Sequence, residues 1–334
     1  MNRTKKKAKL YYLMVLLFFT AIMCSTTTYA WFSSNRVVTI NTINIHVASA
    51  GGVEISADGI DWKEIITFDD IINAHKTTYK TSNNQIPYSL EPVSSGKDID
   101  GATGYLKIYY GTTDNVGPGD YLLMSTRTIE EEGNGEDSNG KFIVFDIFLK
   151  VNNDSQLYLT KNSKVTYLNE TEKGIANATR IAFLDEGTVP KDTDPAIIQR
   201  LKGANANTTY IWEPNYDVHT TSGIRNAYDV YGITTTATNG ARIPYDGVIS
   251  EIPRSSEVLL KDARQSKYPT YFRTVNVNYY TRRDFTENVP VFSIKGGITK
   301  IRVYMWIEGQ DVDCENNASY DDIQFDLQLT INPT

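Results

Sequence analysis

The sequence is poor in the residues that most often assemble chemistry locally. It has two cysteines and three histidines in 334 residues. Cys24 closes an apolar run near the N-terminus, Cys314 stands near the other end, and neither belongs to a CxxC pair. That excludes a local cysteine zinc or redox motif. His46, His75 and His219 are far apart and none lies in HExxH, so a zinc site would have to be gathered from distant residues. There is no GxSxG, no P-loop and no glycine-rich turn between a strand and a helix, which removes the usual signatures of hydrolase and nucleotide-binding folds. Basic residues are scarce too. The formal net charge is −7, from 33 Lys and Arg against 40 Asp and Glu. Arg3, Lys5, Lys6, Lys7 and Lys9 fall in the first nine residues, so the rest carries 28 cations against 40 acids, a net −12. A body that acidic repels phosphate backbones, which argues against nucleic acid as a partner.

Long apolar runs are also few, and the longest, Leu10–Cys24, has no charge in its 15 residues. As a helix it spans about 22 Å, short of the ~30 Å hydrocarbon core of a bilayer. With the basic head before it and Thr28-Tyr29-Ala30 after it, the run reads as a secretory signal cut between Ala30 and Trp31. Lipidation at Cys24 needs a small residue before it, and Met23 is not small. Cleavage leaves Cys314 alone, with no intramolecular disulfide to form. An uncut leader would instead tether the protein to a membrane. Residues 1–30 are thus expected to be a signal peptide and 31–334 a single domain outside the cytosol.

Hydrophobic residues make up 40% and charged residues 22%, a globular balance, and 22 tyrosines suit half-buried pleated surfaces. Val37–Val47 changes phase, with Val38 and Ile40 on one face and Ile43, Ile45 and Val47 on the other. The shift predicts a bulge or break near Asn41-Thr42, with a first strand at about 36–41 and a second at 42–48. Residues 53–66 read as a hairpin turning at Ala57-Asp58-Gly59. Lys141–Val151 is apolar on both faces, except Asp146, and predicts a central strand whose carboxylate needs a partner. Asp322–Asn332 alternates cleanly, with Ile323, Phe325, Leu327, Leu329 and Ile331 facing in. Further strands are predicted at 105–110, 121–124, 156–160, 164–168, 180–184, 271–280, 289–294 and 298–307. Helix signals are limited to 68–75 and to Asp194-Pro195 before AIIQRLK. Residues 203–265 show weak periodicity and read as a long insertion. The fold class is therefore all-β, an antiparallel sandwich or jelly roll with long loops and one or two short helices.

Two groups of residues are candidates for a site. Asp311, Asp313 and Glu315 stand at alternate positions and could offer oxygens to a structural calcium; a solvated acidic turn is the alternative. Tyr210, Trp212, Tyr216, Tyr228, Tyr231 and Tyr245 crowd the insertion among Asn and Thr. Amphipathic rings with hydrogen-bonding neighbours could contact a glycan, or could cover the sandwich as a lid. No catalytic residue stands out and no cofactor is implied.

The leader ending in TYAWF and running directly into VVTINTINIHV resembles those of the exported β-sandwich proteins of Gram-positive bacteria processed by the signal peptidase SipW, the TasA/camelysin-like family. FIVFDIFLKVNND and IRVYMWIEGQDVDCENN also look like segments of Bacillota surface proteins with such leaders. The resemblance implies an extracellular jelly-roll subunit of fibres or biofilm matrix, with signal peptidase as its partner in export and itself, or other surface proteins and glycans, afterwards. It makes the segment holding Arg36, Val37, Val38, Thr39 and Ile40 an assembly strand. The peptidase assignment of camelysin is not carried over, because no matching metal motif is present. A carbohydrate-binding surface module and a carboxylate-dependent hydrolase are the alternatives.

Overall fold

The structure is a computed structural model that describes Met14 and residues 38–47, 52–87, 89–118, 120–130, 139–167, 174–203, 209–314 and 322–333. The signal-cleavage residues Ala30 and Trp31, the assembly-strand residues Arg36 and Val37, and Glu315 lie outside the described residues. The protein is all-β and sandwich-like, with 42% strand against 14% helix.

One sheet has eight strands. Its main path runs β16 (Val289–Ile294), β9 (Ser155–Leu159), β18 (Asp322–Thr330), β1 (Val38–Val47), β4 (Ser89–Leu90) and β7 (Asn139–Gly140), with β10 (Lys164–Tyr167) on β18 and β3 (Ile65–Thr67) on β1. The other sheet runs β15 (Tyr279–Tyr280), β12 (Thr209–Glu213), β11 (Thr179–Val189), β17 (Gly297–Ile307), β8 (Ile143–Val151) and β2 (Glu54–Ser56). Two ribbons stand off the sheets: β5 (Ile108–Gly117) with β6 (Asp120–Thr128), and β13 (Tyr245–Val248) with β14 (Phe272–Val275).

The sequence patterns explain the layers. On β18, Ile323, Phe325, Leu327 and Leu329 are buried while Gln324, Asp326 and Gln328 are half-buried, as alternation predicts. They share a core with Ile301, Val303, Met305 and Ile307 of β17 and Phe145, Ile147 and Leu149 of β8. The opposite face of the six-stranded sheet carries Val144, Ala182, Leu184, Ile211, Tyr304 and Trp306. It is covered by Val93, Leu106 and Ile108 and by Tyr245, Val275 and Val277. The doubly apolar strand is thus buried on both sides, as expected, between β17 and β2.

Four α-helices are described: α1 (Phe68–Lys76), α2 (Ile175–Ala178), α3 (Pro195–Gln199) and α4 (Thr221–Tyr231). The Thr67 and Asp70 side chains close a capping box on α1, and Asp194 with Pro195 starts α3. Sequence reading missed α2 and α4.

Three expectations need correction. The N-terminal segment is one strand, not two; β1 is continuous, and the phase change at Asn41 appears as a register shift between Ile40 and Thr42. The predicted hairpin over 53–66 divides between sheets, because β2 pairs with β8 and β3 with β1, with Ile55 and Lys63 forming only an isolated bridge. Residues 209–213 are not part of an insertion; β12 is an interior strand, with Ile181 opposite Trp212.

Candidate functional site

The N-terminal strand lies inside its own sheet. Parallel pairing joins β1 to β18 from Thr39–Asp322 to Val47–Leu329. On its other side it runs antiparallel to β3 at Asn44–His46 and to β4 at Val38 and Thr39. The candidate assembly residues Val38, Thr39 and Ile40 are therefore main-chain paired within the protein. An extended segment held this way gains its ladder bonds from backbone alone, which any strand of the same polarity could supply.

The acidic turn is built differently from a calcium loop. Asp311 meets the Arg180 guanidinium, while Asp313 turns to His219 Nδ1 at 2.8 Å and accepts from the Thr220 N–H at 2.7 Å. Calcium takes six to eight oxygens around one point. These two carboxylates are instead committed to cations and donors on different elements, so Asp311 and Asp313 do not fit that ion.

What they form is a buried charge cluster. Arg180 stands on the outer face of the six-stranded sheet, in phase with Ala182 and Leu184. It is fully buried, pairs with Glu213 Oε1 at 3.1 Å, donates to the Asn177 and Thr179 carbonyls, and lies 5.4 Å from the Tyr245 ring. Glu308, also fully buried, accepts from Trp306 Nε1 at 2.9 Å and from the Ser95 N–H. His219 places Nδ1 on Asp313 and Nε2 on the Ala241 carbonyl at 3.0 Å. A carbonyl only accepts, so the Nε2 proton is fixed and a second proton sits between Nδ1 and the carboxylate.

Burial pushes Glu213 up against the opposing charge of Arg180, and raises Glu308 to about 7. Burial raises Asp313 as well, against the bond from His219. For His219 burial acts downward, but Asp313 outweighs it and the imidazole rises to about 8. Four carboxylates thus share two cations, and the surplus is met by held protons. Among the described residues, Glu213 Oε2 and Arg180 Nε are buried without hydrogen-bond partners. Neither of two surface pockets, one of 450 Å³ beside Lys97 and Arg273 and one of 110 Å³ beside Asp58 and Asp70, is lined by this cluster.

A second buried network centres on the predicted lone acid of β8. Asp146 takes Arg302 Nη1 at 2.9 Å, Lys300 Nζ at 3.3 Å and the Tyr79 hydroxyl at 2.7 Å. Burial pushes its carboxyl up, but Lys300 and Arg302 prevail and hold it below the usual carboxylate range.

The six aromatics do not gather into one platform. Trp212 is fully buried, donating to Thr281 Oγ1, and Tyr245 is 1% exposed, donating to the Ser95 carbonyl. Both are core residues and cannot stack on a sugar. Tyr210 is half-buried and stacks on Phe292 at 4.9 Å. Tyr216 meets Tyr280 edge-on, under Arg242. Tyr231, the last residue of α4, packs half-buried against Ala227, Ile243 and Val312, and Tyr228 alone of the six is well exposed, at 64%. Cys314 is buried and forms no disulfide among the described residues, and His75 bonds Ser82.

Sequence reading missed Arg180, Glu213, His219, Glu308 and Arg302. The available signal was phase: Arg180, Lys300 and Arg302 each fall on the apolar face of a strand. Compared with protein-family models, with curated proteins and with solved structures, the chain matches none.

Proposed function

We propose that this chain is an exported, non-enzymatic surface subunit that assembles with copies of itself through its N-terminal strand, in extracellular fibres or matrix. The observation that carries the reading is the position of β1. It is the first strand described, it is held by main-chain pairing between β18 and β3/β4, and it runs parallel to β18. Such a strand can be replaced by the same strand of a neighbour with every ladder bond restored. The leader, read as removed after Ala30, frees the segment before it. The interior charge clusters fit the reading, since they stiffen a scaffold and face no pocket described here.

The test compares chains that begin at Trp31 with chains lacking residues 31–41, by electron microscopy and sedimentation. The longer chain is expected to form fibres and the shorter one to remain a soluble monomer. Unchanged fibre formation by the shorter chain sinks the proposal.

A further inference from the structure

The 450 Å³ pocket on the far side of the six-stranded sheet lies between the loop at Gly96-Lys97, the start of β12 at Thr209, and Arg273–Asn276 of β14 and its continuation. Its loop is built to hold one side chain in place. Gly96 donates to the Val248 carbonyl, and a Cβ there would meet Ile249 at 2.2 Å. The Ser95 hydroxyl accepts from the Lys97 N–H and donates to the Lys107 carbonyl. Lys97 itself adopts a φ of 72°, a left-handed conformation that side chains other than Gly, Asn and Asp rarely take. Strain of this kind persists where the surroundings enforce it, and such positions concentrate at functional sites.

The pocket is also short of negative charge in an acidic protein. Lys97 Nζ bonds the neutral Asn278 Oδ1 at 2.6 Å, and among the described residues it makes no ion pair. Burial is the sole cause acting on its pKa, and it acts downward. Arg273 donates, among the described residues, only through Nη1, to Asp98 and to the Gly96 carbonyl, which leaves donors on its other two nitrogens. Thr209 also lines this wall, but it is 2% exposed and its Oγ1 is buried, so the donors open to the pocket are those of Lys97 and Arg273. No aromatic ring lines the pocket, so ring stacking on a neutral sugar is not what it offers.

We infer that this pocket binds the oxyanion group, phosphate or carboxylate, of a small ligand through Lys97 and Arg273. An ammonium, partly desolvated and without a counter-charge among the described residues, and a guanidinium with spare donors are both completed by one such group. The site is separate from β1 and does not depend on the assembly reading.

Titration calorimetry on the folded chain with inorganic phosphate and with glucuronate tests it. Saturable binding of either probe is expected, and which one binds tells phosphate from carboxylate. Lys97→Met should weaken that binding about tenfold or more, the loss of one charge-assisted contact. Lys97→Gly should lose it equally while melting at a higher temperature, because glycine takes the left-handed conformation without strain. No saturable binding of either probe, or binding unchanged in Lys97→Met, overturns the inference.

Discussion

Replacing Arg302 by methionine tests the interior of the six-stranded sheet. The Arg302 side chain is 3% exposed and that of its partner Asp146 is 1% exposed. Methionine keeps much of the stem and fills much of the space but removes the charge. Asp146 would keep Lys300 and the Tyr79 hydroxyl, yet lose its closest cation. At an effective dielectric of about 20, opposite charges about 4 Å apart attract by roughly 4 kcal/mol. Two further bonds go, from Nη2 to the Asn83 carbonyl at 3.0 Å and from Nε to the Tyr304 hydroxyl at 3.2 Å. Tyr304 still donates to Glu130, but the buried Glu130 carboxylate loses its ion pair with Arg302 Nη2 at 3.8 Å, and the Asn83 carbonyl loses its donor. Removing one member of a buried pair typically costs about 3–5 kcal/mol, and that is the expected loss for Arg302→Met. At roughly 2 °C per kcal/mol for a chain of this size, the melting temperature should drop by about 6–10 °C. Asp146→Leu alone should cost about as much, since it strands Arg302 and Lys300 together. The double variant removes both ends, and its cost should fall short of the sum of the singles by at least about 2 kcal/mol. Urea unfolding of the four proteins measures this. Strict additivity would refute the claim that the pair is coupled, and a single-variant loss under about 1 kcal/mol would refute its burial.

Stability should also fall as pH rises through neutrality. Glu308 goes from an ordinary 4.5 to about 7 and His219 from 6.5 to about 8, so the folded protein holds both protons more tightly than the unfolded chain does. Their contribution is whole below those unfolded values and is lost as pH rises through about 7 and about 8; burial moves Glu213 and Asp313 in the same direction. Thermal melts from about pH 5 to about pH 9 should therefore decline, and a flat or rising profile contradicts the cluster's protonation. Gly223→Ala in α4 should destabilise by about 1–3 kcal/mol through overpacking, although alanine ordinarily adds about 1 kcal/mol to a helix. The new Cβ would lie 1.9 Å from Asp313 Oδ1, so a gain in denaturant stability would show that Asp313 does not seal the start of α4.

Elements whose pattern is set by their own faces were legible. The alternation of β18, the double apolar face of β8, the phase change at Asn41, the helical segment of α1 and the cap of α3 are all legible in local sequence and recur in the structure. What escaped depends on partners far along the chain. Helix α4 opens Thr-Ser-Gly, a poor helical start, yet Gly223 is required by an aspartate 90 residues later. The buried cluster joins strand ends at 180, 213 and 308 to the turn at 311–313 and to His219, and no window of sequence contains more than a fragment of it. Asp311 and Asp313 were singled out for their spacing, but spacing says nothing about Arg180 arriving from another strand. Trp212 and Tyr245 stand in a stretch rich in Asn and Thr that reads as a glycan contact or a lid. Their own strands nevertheless bury them.

The two sheets differ in what they could exchange. A strand of the six-stranded sheet cannot leave cheaply, because its outer face carries Arg180, Asp146 and Arg302, and each would strand a buried opposite charge. In the eight-stranded sheet β1 is joined on both sides by backbone pairing, and the register shift after Ile40 divides it. Before the shift, contact is confined to Asp322 and Ile323 of β18 and to Ser89 and Leu90 of β4. After it, Thr42–Val47 runs beside Gln324–Leu329 and also holds β3. Opening the first part breaks few ladder bonds and leaves most of β18 covered; opening the whole strand would bare its edge, an aggregation hazard. If copies assemble as proposed, exchange is best confined to Val38–Asn41, entering parallel to β18, with the bulge as the point where the chain would part from its own sheet.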